Sequence, residues 1–94
     1  MTGITEYIFT PHAEFEIQRR GIGGEVILEV VSGPEQTIDV RPGRVVMQSR
    51  TTQGGRVYLV RVFVDMDRHP AEIVTAYRTS KVSKYWREAD EGSL

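Results

Sequence analysis

The sequence lacks cysteine, contains only two histidines and has no long apolar run. The absence of cysteine excludes disulfide bonds, thiolate metal sites and thiol nucleophiles. His12 and His69 are isolated, so a metal site would depend mainly on carboxylates, for which the sequence shows no ligand spacing; we expect no metal and no cofactor. No segment has the length of a membrane span, and the first residues do not resemble a signal peptide. We therefore expect a cytoplasmic protein without a membrane partner.

The length of 94 residues predicts a single domain over 1–94, because such a chain has little room for a second core. A composition of 39% hydrophobic and 27% charged residues is typical of a globular domain. A short chain buries limited surface, so a partner protein or a homodimer is an alternative to a monomer. The last residues, 87–94, are expected to form a flexible tail.

The net charge of −1 conceals a strong asymmetry along the chain. Residues 1–40 contain seven acidic residues and two arginines, whereas residues 41–94 contain ten basic and six acidic residues. Such segregation suggests a domain with one basic side that could bind a partner. The alternative is that these charges only solvate the exposed faces of helices and strands, and both interpretations stay open.

Capping residues and hydrophobic period predict two helices followed by four strands. Thr10 is a good N-cap, Pro11 suits the first helical position, and Gly21 ends the first helix. A second set of apolar residues at helical spacing ends at Gly33 and Pro34. From residue 36 the period changes to two, which predicts strands at 36–40, 44–51, 56–66 and 71–78.

This order predicts an α+β fold in which the two N-terminal helices pack on a four-stranded antiparallel meander. Residues 5–9 are a candidate extra strand. Residues 80–92 are compatible with a C-terminal helix or a frayed tail.

Alternation along the strands divides their residues between two faces of the sheet. The more uniformly apolar face, assigned to the helices, carries Tyr58, Val60, Val62 and Val64. Ile73, Thr75 and Tyr77 are predicted to share one face, and Arg61 joins Thr75 and Tyr77 if the strands pair in the expected register. Arg61 in an apolar strand needs either an internal carboxylate or an external anion such as phosphate. The sequence leaves both open.

The first helix carries His12, Glu16, Arg19 and Arg20 between two apolar flanks. One explanation is a surface ion pair between Glu16 and Arg20 at i,i+4 spacing. The other is that His12 and Arg20 line a cleft between the helix and the sheet. The helix N-terminus would then keep the His12 imidazole neutral and able to act as a base.

Three segments in order, FTPHAEFEIQRRGI, VVSGPE and IVTAYRTSKVSKYW, resemble the family called domain of unknown function 4258, over residues 8–86. That family resembles, more distantly, the BrnT and RelE/ParE toxins. This resemblance implies two helices followed by an antiparallel sheet and, as in several of those toxins, ribonuclease activity. The positions that match the family pattern are His12, Arg20, Thr75, Tyr77 and Lys84.

Two functional hypotheses follow. The first is a metal-independent endoribonuclease toxin of a toxin–antitoxin pair, with His12 as the base, Arg61 as the phosphate clamp, and Tyr77 or Lys84 as the acid. The residues assigned to substrate binding are Arg20, Thr75, Arg78, Lys81 and Tyr85. Its expected partners are RNA or the ribosome and a small antitoxin protein.

The second hypothesis is a non-catalytic module whose basic sheet and tail bind a protein or a nucleic acid. Trp86 is expected to pin the tail rather than to stack on a ligand.

Overall fold

A computed structural model describes residues 3–88 of the chain. The elements, in chain order, are β1 (Tyr7–Phe9), α1 (Pro11–Arg19), α2 (Gly24–Ser32), β2 (Gln36–Arg41), β3 (Arg44–Gln53), β4 (Arg56–Asp65), β5 (Ala71–Thr79) and α3 (Val82–Tyr85). Both N-terminal helices and the four predicted strands are therefore confirmed. The C-terminal helix is present but is only four residues long. The predicted flexible tail lies outside the described residues from position 89 onward.

The sheet has five strands in the order β1-β5-β4-β3-β2, so the prediction of a four-stranded antiparallel sheet is wrong. The additional strand, β1, pairs in parallel with β5, and Tyr7 lies opposite Ala71. The other three pairs, β2–β3, β3–β4 and β4–β5, are antiparallel. The candidate strand at residues 5–9 is thus confirmed, but local turn signals could not predict its partner, because a parallel neighbour comes from far away in the sequence.

Local capping determines where α1 begins and ends. The Thr10 hydroxyl accepts a hydrogen bond from the Ala13 N–H at 3.1 Å, and Pro11 occupies the first turn. After the helix, Gly21 adopts a φ of +68°, a left-handed conformation that glycine tolerates well. The predicted start and stop of α1 are thus confirmed.

The main core lies between the two long helices and one face of the sheet. The helices contribute Ala13, Ile17, Ile27, Val30 and Val31, and the sheet contributes Met47, Val60, Val62, Val64, Ala71, Ile73 and Ala76. Three of the four residues assigned to this face are therefore in the core. Tyr58, the fourth, is half-buried and lies outside that cluster.

An irregularity in β5 changes which residues face the helices. Ile73 lies opposite Val64 and Thr75 lies opposite Phe63, so Val74 is an extra residue in the ladder. Such a bulge shifts the alternation of side chains along the strand. Ile73 is consequently buried under the helices, and its predicted placement beside Tyr77 is wrong.

The opposite face of the sheet, here called the second face, is crossed by the residues that follow β5. Residues 82–87, here called the C-terminal strap, are held on this face by hydrogen bonds to side chains of β2 and β3. Val46 and Leu59 lie on the second face and are almost completely buried. Among residues 3–88, no helix is long and apolar enough to cross a membrane.

Candidate functional site

A row of polar side chains crosses the second face at one level of the sheet. Gln36 on β2 lies opposite Gln48 on β3, Gln48 lies opposite Arg61 on β4, and Arg61 lies opposite Tyr77 on β5. Directly opposed residues point to the same face of a sheet, so these four side chains meet. The predicted register between Arg61 and Tyr77 is confirmed.

Hydrogen bonds join this row from end to end. Gln48 Nε2 donates to Gln36 Oε1 at 2.7 Å, Arg61 Nε donates to Gln48 Oε1 at 2.8 Å, and Arg61 Nη1 donates to Tyr77 Oη at 2.7 Å. The Gln48 side chain is completely buried, which makes its hydrogen bonds costly to lose. The two neighbouring strands therefore fix the position of the Arg61 guanidinium.

Aromatic rings surround the same guanidinium. The Arg61 Cζ atom lies 4.4 Å from the centroid of the Tyr85 ring, 5.5 Å from that of Phe63 and 5.8 Å from that of Tyr77. These distances are within the range of cation–π attraction. The rings stabilise the cation but leave its net charge unchanged.

No carboxylate among residues 3–88 lies within ion-pair distance of Arg61. Arg44 and Arg50, by contrast, each contact a carboxylate, Asp65 at 2.6 Å and Glu35 at 3.1 Å. The internal ion pair considered for Arg61 is therefore absent from the described part of the chain. A half-buried, uncompensated guanidinium is costly unless an anion or water reaches it.

The C-terminal strap brings the Tyr85 ring to Arg61 and Lys84 to that ring. Gln48 Nε2 donates to the Tyr85 carbonyl at 3.2 Å, and Gln36 exchanges two hydrogen bonds with the backbone of Arg87, at 2.6 and 3.1 Å. These contacts place the Tyr85 ring over Arg61. Lys84, one of the predicted acids, has its Nζ atom 5.3 Å from the same ring.

The Tyr85 phenol is electrostatically perturbed. Interaction with the Tyr77 hydroxyl, followed by the positive charge of Lys84, holds the pKa of Tyr85 below its ordinary value of 10.0. Arg61 acts in the same direction. A lowered pKa makes the Tyr85 phenol a stronger acid than a free tyrosine.

His12 does not join this group. It is exposed on α1, which packs through Ala13 and Ile17 against the helix-facing side of the sheet. Arg61 and Tyr77 point to the second face. The structure therefore brings two of the four predicted catalytic residues, Arg61 and Tyr77, into contact, and it places Lys84 beside the neighbouring Tyr85 ring. The sheet separates His12 from them.

Arg20 occupies a different place, at the edge of β5 beyond the end of β1. Its Nη1 atom donates to the Ala76 carbonyl at 2.8 Å and lies 3.4 Å from Thr75 Oγ1. Arg20 also lies 3.1 Å from Glu16, which confirms the predicted ion pair. Hydrogen bonding from Arg19 is the main cause that lowers the pKa of the Glu16 carboxyl, with the charge of Arg20 adding to it.

Of the other residues assigned to substrate binding, Tyr85 lies at Arg61, whereas Arg78 lies opposite Val60 on the helix-facing side. Lys81 is exposed just before α3. Trp86 packs on Arg50, with the Arg50 Cζ atom 4.1 Å from the ring centroid. This contact supports the expected role of Trp86 in pinning the tail.

Sequence reasoning missed Gln36 and Gln48. Both are polar residues inside strands, and in a strand sequence such residues are most simply assigned to solvent. The strand period did contain a signal for Gln48, which lies two residues after Val46 and therefore on the same face of β3; both side chains are buried. Among residues 3–88, no group of three His, Asp or Glu side chains is placed to hold a metal ion.

Comparison with known proteins gives one match. The family model described as Domain of unknown function (DUF4258) matches residues 9–78. No curated protein and no solved structure matches the chain, so these comparisons add no support for the expected similarity to BrnT and RelE/ParE toxins. The matched segment includes α1, α2 and β2–β4 completely and nearly all of β5, and the chain therefore belongs to the DUF4258 family.

Proposed function

We propose that this chain is a single-stranded RNA-binding domain that holds a backbone phosphate at Arg61. The observation that carries the proposal is the uncompensated guanidinium, fixed by Gln48 and Tyr77 and flanked by three aromatic rings. A fixed guanidinium in partly dry surroundings is a strong ligand for a phosphate oxygen.

The hydrogen-bonding pattern leaves part of the guanidinium available. Arg61 uses Nε and Nη1 for its bonds to Gln48 and Tyr77, and its Nη2 atom donates to no other group of residues 3–88. The side chain is also partly exposed. A phosphate oxygen could therefore bind at Nη2 without breaking the polar row.

The neighbouring residues favour a single strand over a duplex. Tyr85 offers a ring beside Arg61, and Lys84 offers an ammonium group beside that ring. Unpaired bases stack on aromatic rings while cations contact the backbone, whereas the bases of a duplex are already stacked on one another.

The test is the affinity for a fluorescently labelled RNA of about 12 nucleotides, a length within the usual site size for single strands. Arg61→Gln should weaken binding about tenfold or more, because a hydrogen bond to a charged group contributes about 1.5–3 kcal/mol. Arg68→Gln is the matched control, because Arg68 is also an arginine but lies exposed in the turn between β4 and β5, outside the polar row. Equal affinities of the two variants would refute the proposal, provided that thermal unfolding shows both to be folded.

A second candidate function is RNA cleavage, and the contacts of the Tyr85 ring with both Arg61 and Lys84 favour it. In this proposal the Tyr85 phenolate, rather than His12, removes the proton from a 2′-hydroxyl. The 2′-oxygen then attacks phosphorus, Arg61 stabilises the added negative charge, and Lys84 protonates the departing 5′-oxygen. The products are a 2′,3′-cyclic phosphate and a free 5′-hydroxyl.

Incubation of RNA with the protein in EDTA tests this chemistry. Tyr85→Phe should abolish cleavage while His12→Ala retains it, and end-group analysis should find the cyclic phosphate. Loss of cleavage in His12→Ala would restore the sequence-based assignment of the base. Intact RNA, free or ribosome-bound, would leave binding as the proposed function.

Cleavage would fit the proposed distant similarity to BrnT and RelE/ParE toxins and a small antitoxin partner. Binding without cleavage would fit the non-catalytic alternative. Inducible expression in a bacterium, with growth and RNA integrity measured together, separates these two candidates.

A further inference from the structure

A second cation–aromatic cluster lies at the end of the sheet formed by the β3–β4 hairpin. Its centre is Tyr58, whose ring centroid lies 5.1 Å from the Arg78 Cζ atom and 6.0 Å from the Arg56 Cζ atom. Arg78 Nη1 also donates to Gln53 Oε1 at 2.6 Å. The ring thus has two guanidinium groups near it, one of them fixed by a hydrogen bond.

The hairpin explains how these residues come together. Gly54 and Gly55 have φ values of +59° and +77°, which suit a tight two-residue turn between adjacent strands. Gln53 consequently lies opposite Arg56, and Tyr58 follows two residues later on the same face of β4. Because Arg78 is close in space on β5, all four side chains gather at one end of the sheet.

The charges of this cluster are also uncompensated within the described residues. Neither Arg56 nor Arg78 lies within ion-pair distance of a carboxylate of residues 3–88, and both side chains are exposed. Tyr58 is half-buried and remains outside the main core cluster. The cluster therefore presents to solvent a half-buried ring and two guanidinium groups without a carboxylate partner.

The cluster and Arg61 are close along the chain but lie on opposite faces. Tyr58 is three residues before Arg61 on β4, about 10 Å along the strand. On β5, Tyr77 lies opposite Arg61 and the next residue, Arg78, reaches Tyr58. The pairing between β1 and β5 ends at Ile73, so no described strand pairs with β5 beside Tyr77 and Arg78, and the Arg20 side chain contacts this edge at the Ala76 carbonyl.

We propose that Tyr58, Arg56 and Arg78 form a second subsite for the same single-stranded RNA, in which Tyr58 stacks a base and the arginines contact the flanking phosphates. This inference rests on the proposed function, because it requires that the RNA bound at Arg61 continue past the edge of β5 to the other face of the sheet. A ring with cations beside it and no neutralising acid is the usual composition of a sequence-tolerant stacking site.

Affinity as a function of RNA length tests the second subsite. Tyr58→Leu should weaken binding of an RNA of about 12 nucleotides about tenfold, the loss typical of removing one stacking ring. The same variant should bind an RNA of about 3 nucleotides as wild type does, because so short a strand occupies Arg61 alone. Tyr58→Phe is the matched control: it keeps the ring and should retain the wild-type affinity within about twofold.

The salt dependence of binding gives a second measurement, made on the two exposed arginines. Arg56→Gln with Arg78→Gln should reduce the steepness of log affinity against log salt by about 1.4 for the longer RNA, because each arginine is expected to neutralise one phosphate and each phosphate of a single strand contributes about 0.7. This double variant also provides the test if Tyr58→Leu does not fold. An unchanged slope would overturn the second subsite.

Arg61→Gln, measured beside these variants, distinguishes the two proposals. If Arg61→Gln weakens binding of both RNA lengths and Tyr58→Leu has no effect, only the second subsite fails. If Tyr58→Leu weakens binding and Arg61→Gln does not, the phosphate site at Arg61 fails and Tyr58 remains a binding site. Wild-type affinity in all variants would overturn both and leave the Tyr58 cluster as an internal stabilising contact.

Discussion

Replacing Gln48 with methionine should destabilise the fold by about 3 kcal/mol, although the two side chains have similar volumes. The Gln48 amide is completely buried and makes three hydrogen bonds, to Arg61, Gln36 and the Tyr85 carbonyl. A thioether cannot replace any of these bonds at comparable strength. The loss therefore combines one bond from a charged donor with two neutral bonds.

The magnitude follows from these contacts. A bond from a charged donor contributes about 1.5–3 kcal/mol and each neutral bond about 1 kcal/mol. Water reaching the partly exposed Arg61 and the greater hydrophobicity of methionine offset part of the total, which leaves about 3 kcal/mol. For a domain of this size the melting temperature should fall by about 12–24 °C.

Urea and thermal unfolding measure this loss, with Gln18→Met as the control. Gln18 is exposed on α1, so the control should change stability by less than about 0.5 kcal/mol. Amide hydrogen exchange across residues 82–87 adds a local measurement, because the Gln48 variant should also release the C-terminal strap. Equal stability of the two variants, or unchanged protection of the strap, would refute the proposed role of the polar row.

Two further predictions concern the other end of the sheet. Hydrogen bonding from Arg44 lowers the pKa of the Asp65 carboxyl below its ordinary value of 3.8, so the pair should stabilise the fold above that pH and lose its contribution as the pH falls through the lower, folded-state pKa. Asp65→Asn should therefore flatten the acid limb of a stability–pH curve, whereas an unchanged limb would contradict this assignment. Gly43→Ala should destabilise the fold by at least about 1 kcal/mol in urea unfolding, because φ is +85° and the added Cβ would lie 2.6 Å from Asp67 Oδ2. Gly24→Ala has open space around the new Cβ, and if it proved equally destabilising, the steric explanation would be wrong.

The sequence predicted the elements whose signals are local. Thr10, Pro11 and Gly21 define α1 within a dozen residues, and the tight hairpin aligns β3 with β4. By contrast, β1 is three residues long and pairs with residues 71–73, far along the chain. Nothing near β1 in the sequence specifies that partner, so the fifth strand was only a candidate.

The candidate site was predicted in part for the same reason. The strand period placed Arg61 and Tyr77 on one face, and the β4–β5 register joined them. The sequence analysis placed Val60 and the other even-numbered residues of β4 under the helices, which puts Arg61 on the opposite face of the sheet. His12 belongs to a helix, so this assignment already implied that His12 and Arg61 lie on different sides of the sheet. The sequence-based site nevertheless combined the cleft beside α1 with the face of Arg61, although the sheet separates these two places.

The glutamine at position 48 explains why the nearest hydrogen-bond acceptor on β3 does not neutralise the charge of Arg61. A carboxylate there could accept the bond from Arg61 and neutralise it, but it could not donate to Gln36 and to the Tyr85 carbonyl. An amide does both, and its contacts of 2.8, 2.7 and 3.2 Å use its oxygen and its nitrogen. The same residue that secures the C-terminal strap therefore orients Arg61 without cancelling its charge. A hydrophobic residue at position 61 would need no such support, since replacing a buried charge with an apolar side chain is often neutral or stabilising. An oriented, uncompensated cation at position 61 is thus what the proposed binding of an external phosphate requires, and the stability of the fold does not require it.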